Sequence, residues 1–295
     1  MEARSAMTQA TSTDRDVTVA DTAKWVAMYR AIESDRSDAL FRDPFARRLA
    51  GERGADILDR MPKGRAFAWP MIVRTAVIDE LLMRAIRDEH IDFVVNLAAG
   101  LDARPYRMQL PPTLRWVEVD YPSTIEEKTK ALAGETPRCD LVRIPTDLAD
   151  TKARTALLER VATFGSKGLV ITEGLMIYLT REQAGELARE LAAVSQLQFW
   201  ILDIAAPFIL KMMARTWSKR LGTSATFRFA PEEGAEFYER YGWKLVEYRS
   251  AWLEARRLKR EMPMAWIWRL LYPRYTRQEQ GRRIGPMTGV LFLSR

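Results

Sequence analysis

The sequence predicts an α/β fold with a mainly parallel sheet, because short apolar runs alternate with helical segments from residue 91 onward. Seven such runs are present: IDFVVNLAA, RWVEVD, CDLVRIPTD, GLVITEGLMIYL, LQFWILDIAA, WKLVEYRS and TGVLFLS. Helical segments separate most of the first five runs, whereas only a loop is expected between the last two. A loop connection favours antiparallel pairing. We therefore predict a seven-stranded sheet that ends in an antiparallel hairpin at one edge.

The rest of the chain divides into segments around this sheet. TVADTAKWVAMYRAIES and PMIVRTAVIDELLMRAIRDE repeat apolar residues at spacings of three and four, which predicts helices. Thr180 and Gln183 fit a capping box at the start of a later helix. No repeat or linker is present, so we expect one domain over residues 17–295. A disordered leader (1–16) is expected before this domain. The domain itself consists of N-terminal helices (17–90), a ligand-binding core (91–204), a lid (205–235) and terminal strands with a basic segment (236–295).

Composition excludes several classes of protein. The chain has 295 residues, of which 47% are hydrophobic, and this suffices for a sizeable core. The single cysteine, Cys139, can form no internal disulfide and argues against a cysteine-based metal site, so we expect no metal. The first residues contain no apolar run typical of a signal peptide, and the most apolar window is too short to span a bilayer. We therefore expect a cytoplasmic protein.

The net charge of +7 is concentrated near the C-terminus. Residues 251–295 hold ten Lys and Arg against three Asp and Glu, so the rest of the chain is neutral. Such a segment is either a solvated face or a contact with an anionic membrane surface or an acidic partner. Within it, MAWIWRLLYPRYTR interleaves aromatic and basic residues, which fits a membrane surface or a lipid-like or acidic substrate. A lid or a dimer interface would show the same pattern. No nucleic-acid-binding motif is present, so we expect no nucleic-acid partner. The expected oligomeric state is a monomer or a homodimer.

The turn after the first apolar run, Ala98-Ala99-Gly100-Leu101-Asp102, indicates the kind of ligand. Ligands of doubly wound sheets bind beyond the carboxyl ends of the strands, where Gly100 lets the backbone approach closely. Asp120 ends the second run and can accept hydrogen bonds from both hydroxyls of a ribose. The G-x-G-x-x-G turn that a dinucleotide needs is absent, and Asp102 would repel a pyrophosphate. A nucleoside with an amino-acid tail, such as S-adenosyl-L-methionine, fits better than NAD, although sheets without such a ligand also carry this Gly and Asp.

The third and fourth strand ends each add an acid. Asp147 and Leu148 could bond an adenine amino group and cover the ring, or Asp147 could cap the next helix. Glu173 directly follows the fourth apolar run and is either a ligand carboxylate or a paired structural acid. Four consecutive strand ends thus carry an acid or a glycine on the expected ligand side, which favours a binding site there.

These motifs resemble the leucine carboxyl methyltransferase family, in particular its bacterial branch of small-molecule and polyketide O-methyltransferases. NLAAGLDARPYR, VEVDYP, TDLAD and TEGLMIYL are similar to its first four strand motifs, and YRAIESDRSDALFRDPFARRLAG and RTAVID to its N-terminal signatures. The resemblance covers roughly residues 22–295. It implies a Rossmann-like class I methyltransferase fold that binds S-adenosyl-L-methionine. One departure is Asn96-Leu97-Ala98, where the family more often has Leu-Gly-Ala, so we expect slight crowding of the methionine moiety.

The resemblance also implies a role for each matching position. Arg74, together with Arg30, would hold the methionine carboxylate; the alternative is that both are ordinary helix-surface charges. The other cofactor-binding candidates are Ala98, Gly100 and Asp102 around the methionine, Asp120 at the ribose, Asp147 and Leu148 at the adenine, and Glu173 near the amino group.

Methyl transfer from a sulfonium requires the sulfur, methyl carbon and acceptor in line, so positioning and desolvation can supply most of the catalysis. A carboxylate acceptor is already nucleophilic, whereas a hydroxyl usually gains from a general base. The only histidine, His90, precedes the first strand at the opposite edge, so a base would be Tyr178 or Asp203, or none is needed. This favours a small metabolite with a carboxylate or an acidic phenol or enol. The alternatives are a protein C-terminal carboxyl methyltransferase and a catalytically silent protein that binds the cofactor.

Overall fold

A seven-stranded sheet forms the centre of the protein. The computed structural model describes residues 18–61, 64–217, 227–262, 264–271 and 288–295. The strands are β1 (Phe93–Leu97), β2 (Arg115–Asp120), β3 (Asp140–Pro145), β4 (Gly168–Thr172), β5 (Leu197–Ile204), β6 (Lys244–Ser250) and β7 (Gly289–Ser294). They lie in the order β3-β2-β1-β4-β5-β7-β6. All seven predicted strands are therefore confirmed.

Helices precede, separate and follow these strands. Those in the described residues are α1 (Val19–Ser34), α2 (Ala46–Arg60), α3 (Ala68–Asp88), α4 (Arg104–Arg107), α5 (Pro122–Ala131), α6 (Thr151–Val161), α7 (Arg181–Ala193), α8 (Pro207–Trp217), α9 (Glu236–Glu239), α10 (Ala251–Arg257) and α11 (Ala265–Leu271). The predicted capping box is confirmed, because Thr180 and Gln183 exchange hydrogen bonds at the start of α7. At α6 the N-cap is Asp150, so the alternative in which Asp147 caps this helix is wrong.

The pairing of the strands confirms a mainly parallel sheet with an antiparallel end. The first five strands pair in parallel, and β7 pairs antiparallel with both β5 and β6. The expectation that only a loop joins β6 and β7 is wrong, because α10 and α11 lie between them. Each of these helices has seven residues, which is too short for an apolar period to stand out in the sequence.

Helices cover both faces of the sheet. One core packs α6, α7 and α9 against the sheet, and the other packs α3 and α10 against its opposite face. Adjacent residues of a strand point to different cores, so that Val117 belongs to the first and Trp116 to the second. Because both faces are buried, the strands read as continuous apolar runs rather than as alternating ones. A third core joins α1 and α2 to the turn after β1.

Several predicted segments lie wholly or partly outside the described residues. The leader (1–16) is outside them, as are residues 218–226 of the predicted lid and 272–287 of the basic segment. The described part of the lid contains α8, and its role as a lid stays a prediction. Within the described residues, no helix combines the length and the apolar character needed to cross a membrane.

Candidate active site

A cavity of about 530 Å³ lies beyond the carboxyl ends of β1, β2, β4 and β5. The strand order reverses here, since β1 has β2 on one side and β4 on the other. Open α/β sheets bind their ligands at such a point. Helix α1 contributes Thr22, Trp25 and Tyr29 to the wall. The volume falls within the range of roughly 300–1,000 Å³ that is usual for small-molecule sites.

The turn after β1 is fixed against the end of β2. Gly100 has a positive φ of 47°, which a glycine adopts without strain. Ala98 also has a positive φ, of 53°, which is uncommon for a residue other than glycine. The Gly100 amide donates a hydrogen bond to Asp120 Oδ2 at 2.7 Å. A Cβ atom at Gly100 would lie 3.3 Å from the Cβ of Ala23 in α1, so a larger side chain would push this helix away. The other Asp120 oxygen accepts the Tyr121 amide at 2.7 Å. A carboxylate has about four acceptor positions, so two remain for a ligand.

Asp102 is bound by protein groups on both of its oxygens. It accepts hydrogen bonds from the Asn96 side chain at 2.8 Å, from the Arg104 amide at 2.9 Å and from the Arg104 guanidinium at 2.8 Å. Burial alone would raise the pKa of Asp102, but the positive charges of the surrounding basic residues, of which Arg104 has the largest effect, together outweigh burial and hold that pKa well below its usual range. Asp102 lines the cavity as an anion that orders the turn, and its direct contact with a ligand stays a prediction.

The expected crowding by Leu97 is not observed. Its side chain is buried in the core beneath α6 and α7, and Leu97 is not among the residues that line the cavity. The reason is the alternation of a β-strand, which directs Leu97 into that core and the preceding Asn96 to the other side. Leu97 therefore adds no side chain to the cavity wall.

Arg74 reaches the cavity from α3 and lies between two acids. Its Nε donates to Glu173 at 2.9 Å and its Nη1 to Asp203 at 3.0 Å. Only 12% of the side chain is exposed, so the alternative of a helix-surface charge is wrong. Within the described part of the chain Nη2 has no hydrogen-bond partner, and it lies 3.7 Å from the position of a Cβ at Gly174. Two N–H donors on Nη2 thus remain for a ligand carboxylate.

Glu173 is paired with two arginines at the cavity wall, and its role as a ligand carboxylate stays a prediction. It lines the cavity, and its second oxygen accepts a hydrogen bond from Arg104 Nη1 at 2.8 Å. Burial would raise the pKa of Glu173, but the charges of Arg104 and Arg74 hold it below the ordinary value. Glu173 is therefore a paired structural acid at the cavity wall.

Arg104 is a member of this site that was not identified from the sequence. It lies in α4, is fully buried and donates to Asp79 as well as to Asp102 and Glu173. The available signal was its position two residues after Asp102, in a turn that faces three other acidic strand ends. A buried cation was to be expected there, because buried carboxylates must be paired.

Arg30 lies in the wall of the cavity and not on the protein surface. Its Nε donates to Asp43 at 2.9 Å and its Nη2 to the backbone carbonyl of Leu101 at 2.5 Å. Arg30 is buried, so the helix-surface alternative is wrong for it too. These contacts join α1 to the turn after β1, and Arg30 lines the cavity beside them.

The predicted adenine contacts are only partly brought to the cavity. Leu148 lines it, whereas Asp147 is exposed and does not. Asp147 accepts the Ala149 amide at 2.9 Å. Burial and this acid raise the pKa of the neighbouring Tyr121, whose hydroxyl contacts Asp147 and whose side chain lines the rim. Asp147 therefore reaches the cavity through Tyr121, a residue that the sequence analysis did not single out.

The two candidate bases are in place, but both are engaged. The Tyr178 hydroxyl donates to Thr22 Oγ1 at 3.4 Å, and burial raises the pKa of this phenol, which stays protonated at neutral pH. Asp203 accepts the Gly174 amide at 2.6 Å in addition to its bond with Arg74. His90 lies before β1 at the opposite end of the sheet, as predicted, and does not line the cavity.

Except for Asp147, every candidate site residue lines this one cavity: Arg30, Arg74, Ala98, Gly100, Asp102, Asp120, Leu148, Glu173, Tyr178 and Asp203. Together with the strand order, this arrangement defines the class I methyltransferase fold. The family described as leucine carboxyl methyltransferase matches residues 23–192, more than half of the chain. The protein therefore belongs to the leucine carboxyl methyltransferase family.

Relatives agree with this assignment, and a solved structure shares the fold. A Streptomyces coelicolor protein and a Frankia alni protein, both named S-adenosyl-L-methionine-dependent methyltransferases, are 36% and 34% identical to it over 56% and 59% of this chain. The matched segments span 61% and 64% of those relatives, less than two thirds of their length. A DUF574 family protein from Streptomyces avermitilis superposes with a TM-score of 0.57 over 92% of this chain and 96% of its own, at 15% identity. This last similarity shows the fold alone.

Proposed function

We propose that the protein binds S-adenosyl-L-methionine and transfers its methyl group to a carboxylate or an acidic hydroxyl of a small metabolite. The observation that carries the proposal is the single cavity that combines Asp120, Arg74 and a turn unsuited to pyrophosphate. The names of the relatives support the same cofactor. The C-terminal third of the chain lies outside the family match. The chemical class of the acceptor is therefore inferred from the site and not from similarity to the family.

The residues present fit this cofactor. Asp120 keeps two acceptor positions for the ribose hydroxyls, and Arg74 Nη2 keeps two donors for the methionine carboxylate. The tight packing of Gly100 against α1 leaves backbone, rather than side chain, beside the methionine tail. Leu148 offers an apolar surface for the adenine. When bound, the cofactor would supply an electrophilic methyl group on a sulfonium.

The protein's own contribution to transfer is positioning and exclusion of water. Apolar side chains, among them Trp25, Met176 and Ile209, form much of the cavity wall. A nucleophile that enters such a surrounding loses its water shell, and this raises its reactivity toward a cationic donor. Orientation of two reactants in one cavity can contribute several kcal/mol, on the order of 7–11 in the best cases.

The state of the two candidate bases at the cavity supports this class of acceptor. Tyr178 is kept protonated by burial, and Asp203 is held in an ion pair with Arg74 and by the Gly174 amide. An acceptor that must lose its proton during transfer would therefore lack a partner. A carboxylate, or a phenol or enol acidic enough to arrive ionised, needs none.

Calorimetric titration with S-adenosyl-L-methionine, its demethylated product and NAD tests the cofactor first. Binding of the two sulfur compounds without NAD supports the proposal, and failure of both to bind would overturn it. Labelled methyl transfer to a panel of carboxylic acids, phenols, amines and C-terminal peptides then tests the acceptor. Transfer to peptides alone would favour a protein carboxyl methyltransferase, and cofactor binding without any transfer would favour a catalytically silent protein.

A further inference from the structure

Helix α8 presents an outward stripe that is apolar and cationic at once. Phe208 is 68% exposed, and Lys211, Met212 and Arg215 are exposed on the same face at spacings of three, four and seven. The helix sequence PFILKMMARTW contains no acid. In the described part of the protein, neither Lys211 nor Arg215 lies within ion-pair distance of a carboxylate. An apolar stripe with unpaired cations is typical of helices that lie in a membrane interface.

Helix α11 carries a second surface of the same kind. Trp266 is 60% exposed and Leu270, one turn later, is 75% exposed. The helix AWIWRLL also lacks an acid, and it lies within the segment 251–295 that holds the whole net charge of +7. Tryptophan is enriched at the level of lipid headgroups, because its ring is apolar and its N–H group is polar.

Helix α8 and the segment that leads into α11 both contribute to the cavity described above. Ile209 and Met212 of α8 line it, and so does Met262, three residues before α11 begins. Residues of α8 and of the segment just before α11 therefore line the same cavity. We define the α8–α11 surface as Phe208, Lys211, Met212, Arg215, Met264, Trp266 and Leu270.

We propose that the α8–α11 surface docks on an anionic lipid surface. Its cations complement anionic headgroups, and its exposed aromatic and aliphatic side chains complement the acyl boundary beneath them. A second copy of the chain fits less well, because a twofold contact would bring the cations of α8 against each other. The inference goes beyond the proposed function, since it concerns where the protein works and does not depend on which oxygen is methylated.

Sedimentation of the full-length protein with lipid vesicles tests this docking. We expect binding to phosphatidylcholine vesicles that contain phosphatidylglycerol, weakening at high salt, and little binding to phosphatidylcholine alone. Replacing Lys211 and Arg215 by Glu removes two cations and should weaken binding by at least about 30-fold. Phe208→Gln should weaken binding to the same vesicles without changing its salt dependence.

Matched controls separate docking from a general loss of charge or apolar surface. Lys152→Glu removes an exposed cation from α6, and Val246→Gln removes a 53% exposed apolar side chain from β6. Both controls should bind vesicles as the unchanged protein does. Far-UV circular dichroism and light scattering establish that each variant is folded and report its oligomeric state.

Three outcomes would overturn the proposal. The first is absence of binding to anionic vesicles by the folded protein. The second is equal binding by the unchanged protein and the Lys211→Glu, Arg215→Glu variant. The third is a dimer in solution that Phe208→Gln converts to a monomer, because the surface would then be covered by a second copy. Cofactor titration is unaffected by any of these outcomes, so failure of docking is distinguishable from failure of the proposed function.

Discussion

Replacement of Asp120 is the most informative single change, because this carboxylate has both a structural and a proposed binding role. In the protein it accepts two backbone N–H bonds of 2.7 Å, from Gly100 and Tyr121. Hydrogen bonds to charged groups contribute about 1.5–3 kcal/mol each, so Asp120→Ala should cost roughly 3–6 kcal/mol of unfolding free energy. For a chain of this size that corresponds to a fall of about 10 °C in Tm. Alanine therefore cannot separate the two roles.

Asp120→Asn separates them. The amide keeps one acceptor oxygen for the turn but loses the charge and one of the two positions available to a ribose. We expect a stability loss of only about 1–2 kcal/mol, with affinity for S-adenosyl-L-methionine reduced by about 10–100-fold. Calorimetric titration and thermal unfolding of the same preparations measure the two effects.

Asp150→Ala is the matched control for Asp120. Asp150 also accepts two backbone N–H bonds, from Lys152 and Ala153, but it caps α6 and does not line the cavity. Its loss should cost about 1 kcal/mol of stability and leave cofactor affinity unchanged. Wild-type affinity in Asp120→Asn would refute the assignment of the ribose to this carboxylate.

Three further changes follow from the buried ion pairs and from Tyr178. Glu173→Gln leaves two buried arginines short of charge and should cost about 3–5 kcal/mol in urea unfolding, whereas Glu135→Gln, in an exposed pair with Arg48, should cost less than about 1 kcal/mol. Equal costs would contradict the network. Tyr178→Phe should keep kcat within about tenfold, because the phenol stays protonated; a loss of about 100-fold or more would make Tyr178 a base. The pKa values of Asp102 and Glu173 are lower in the folded than in the unfolded protein, so their stabilisation should be complete above about pH 5 and decline as the pH falls further. A urea midpoint that stays constant from neutral to acidic pH would contradict this.

The sheet was predictable because its physical requirements act locally. A strand buried on both faces must be apolar along its whole length, and a parallel connection must contain a crossover, so the alternation of runs and helices is visible in the sequence. The Thr180 capping box is local in the same sense, since it spans one helical turn. The helices between β6 and β7 were missed because seven residues are too few to show a period.

The ends of the strands were predictable as a set, but their partners were not. Glu173 and Asp203 were identified from the sequence as candidate site residues. Their common partner Arg74 was not visible as such, because it lies in α3, 99 and 129 residues earlier in the chain. Arg104 shows the same limit from the other side: its residue type is visible, but its pairing with three acids requires the fold. Asp147 was placed at the cavity from its motif, whereas the turn that follows β3 directs it outward.

The same network determines what the pH dependence of methyl transfer should report. Glu173 is held ionised by two arginines, Tyr178 is held protonated by burial, and His90 lies at the far end of the sheet. Neither Glu173 nor Tyr178 is therefore expected to change charge between about pH 6 and 8. With a carboxylic acid as acceptor, kcat should be flat across this range, because the acceptor is already ionised. With a phenol, kcat should rise tenfold per pH unit up to the pKa of the phenol and then level off. A bell-shaped profile whose limbs stay in place when the acceptor is changed would show an enzyme base that the geometry does not provide, and the proposal of catalysis by positioning would then fail.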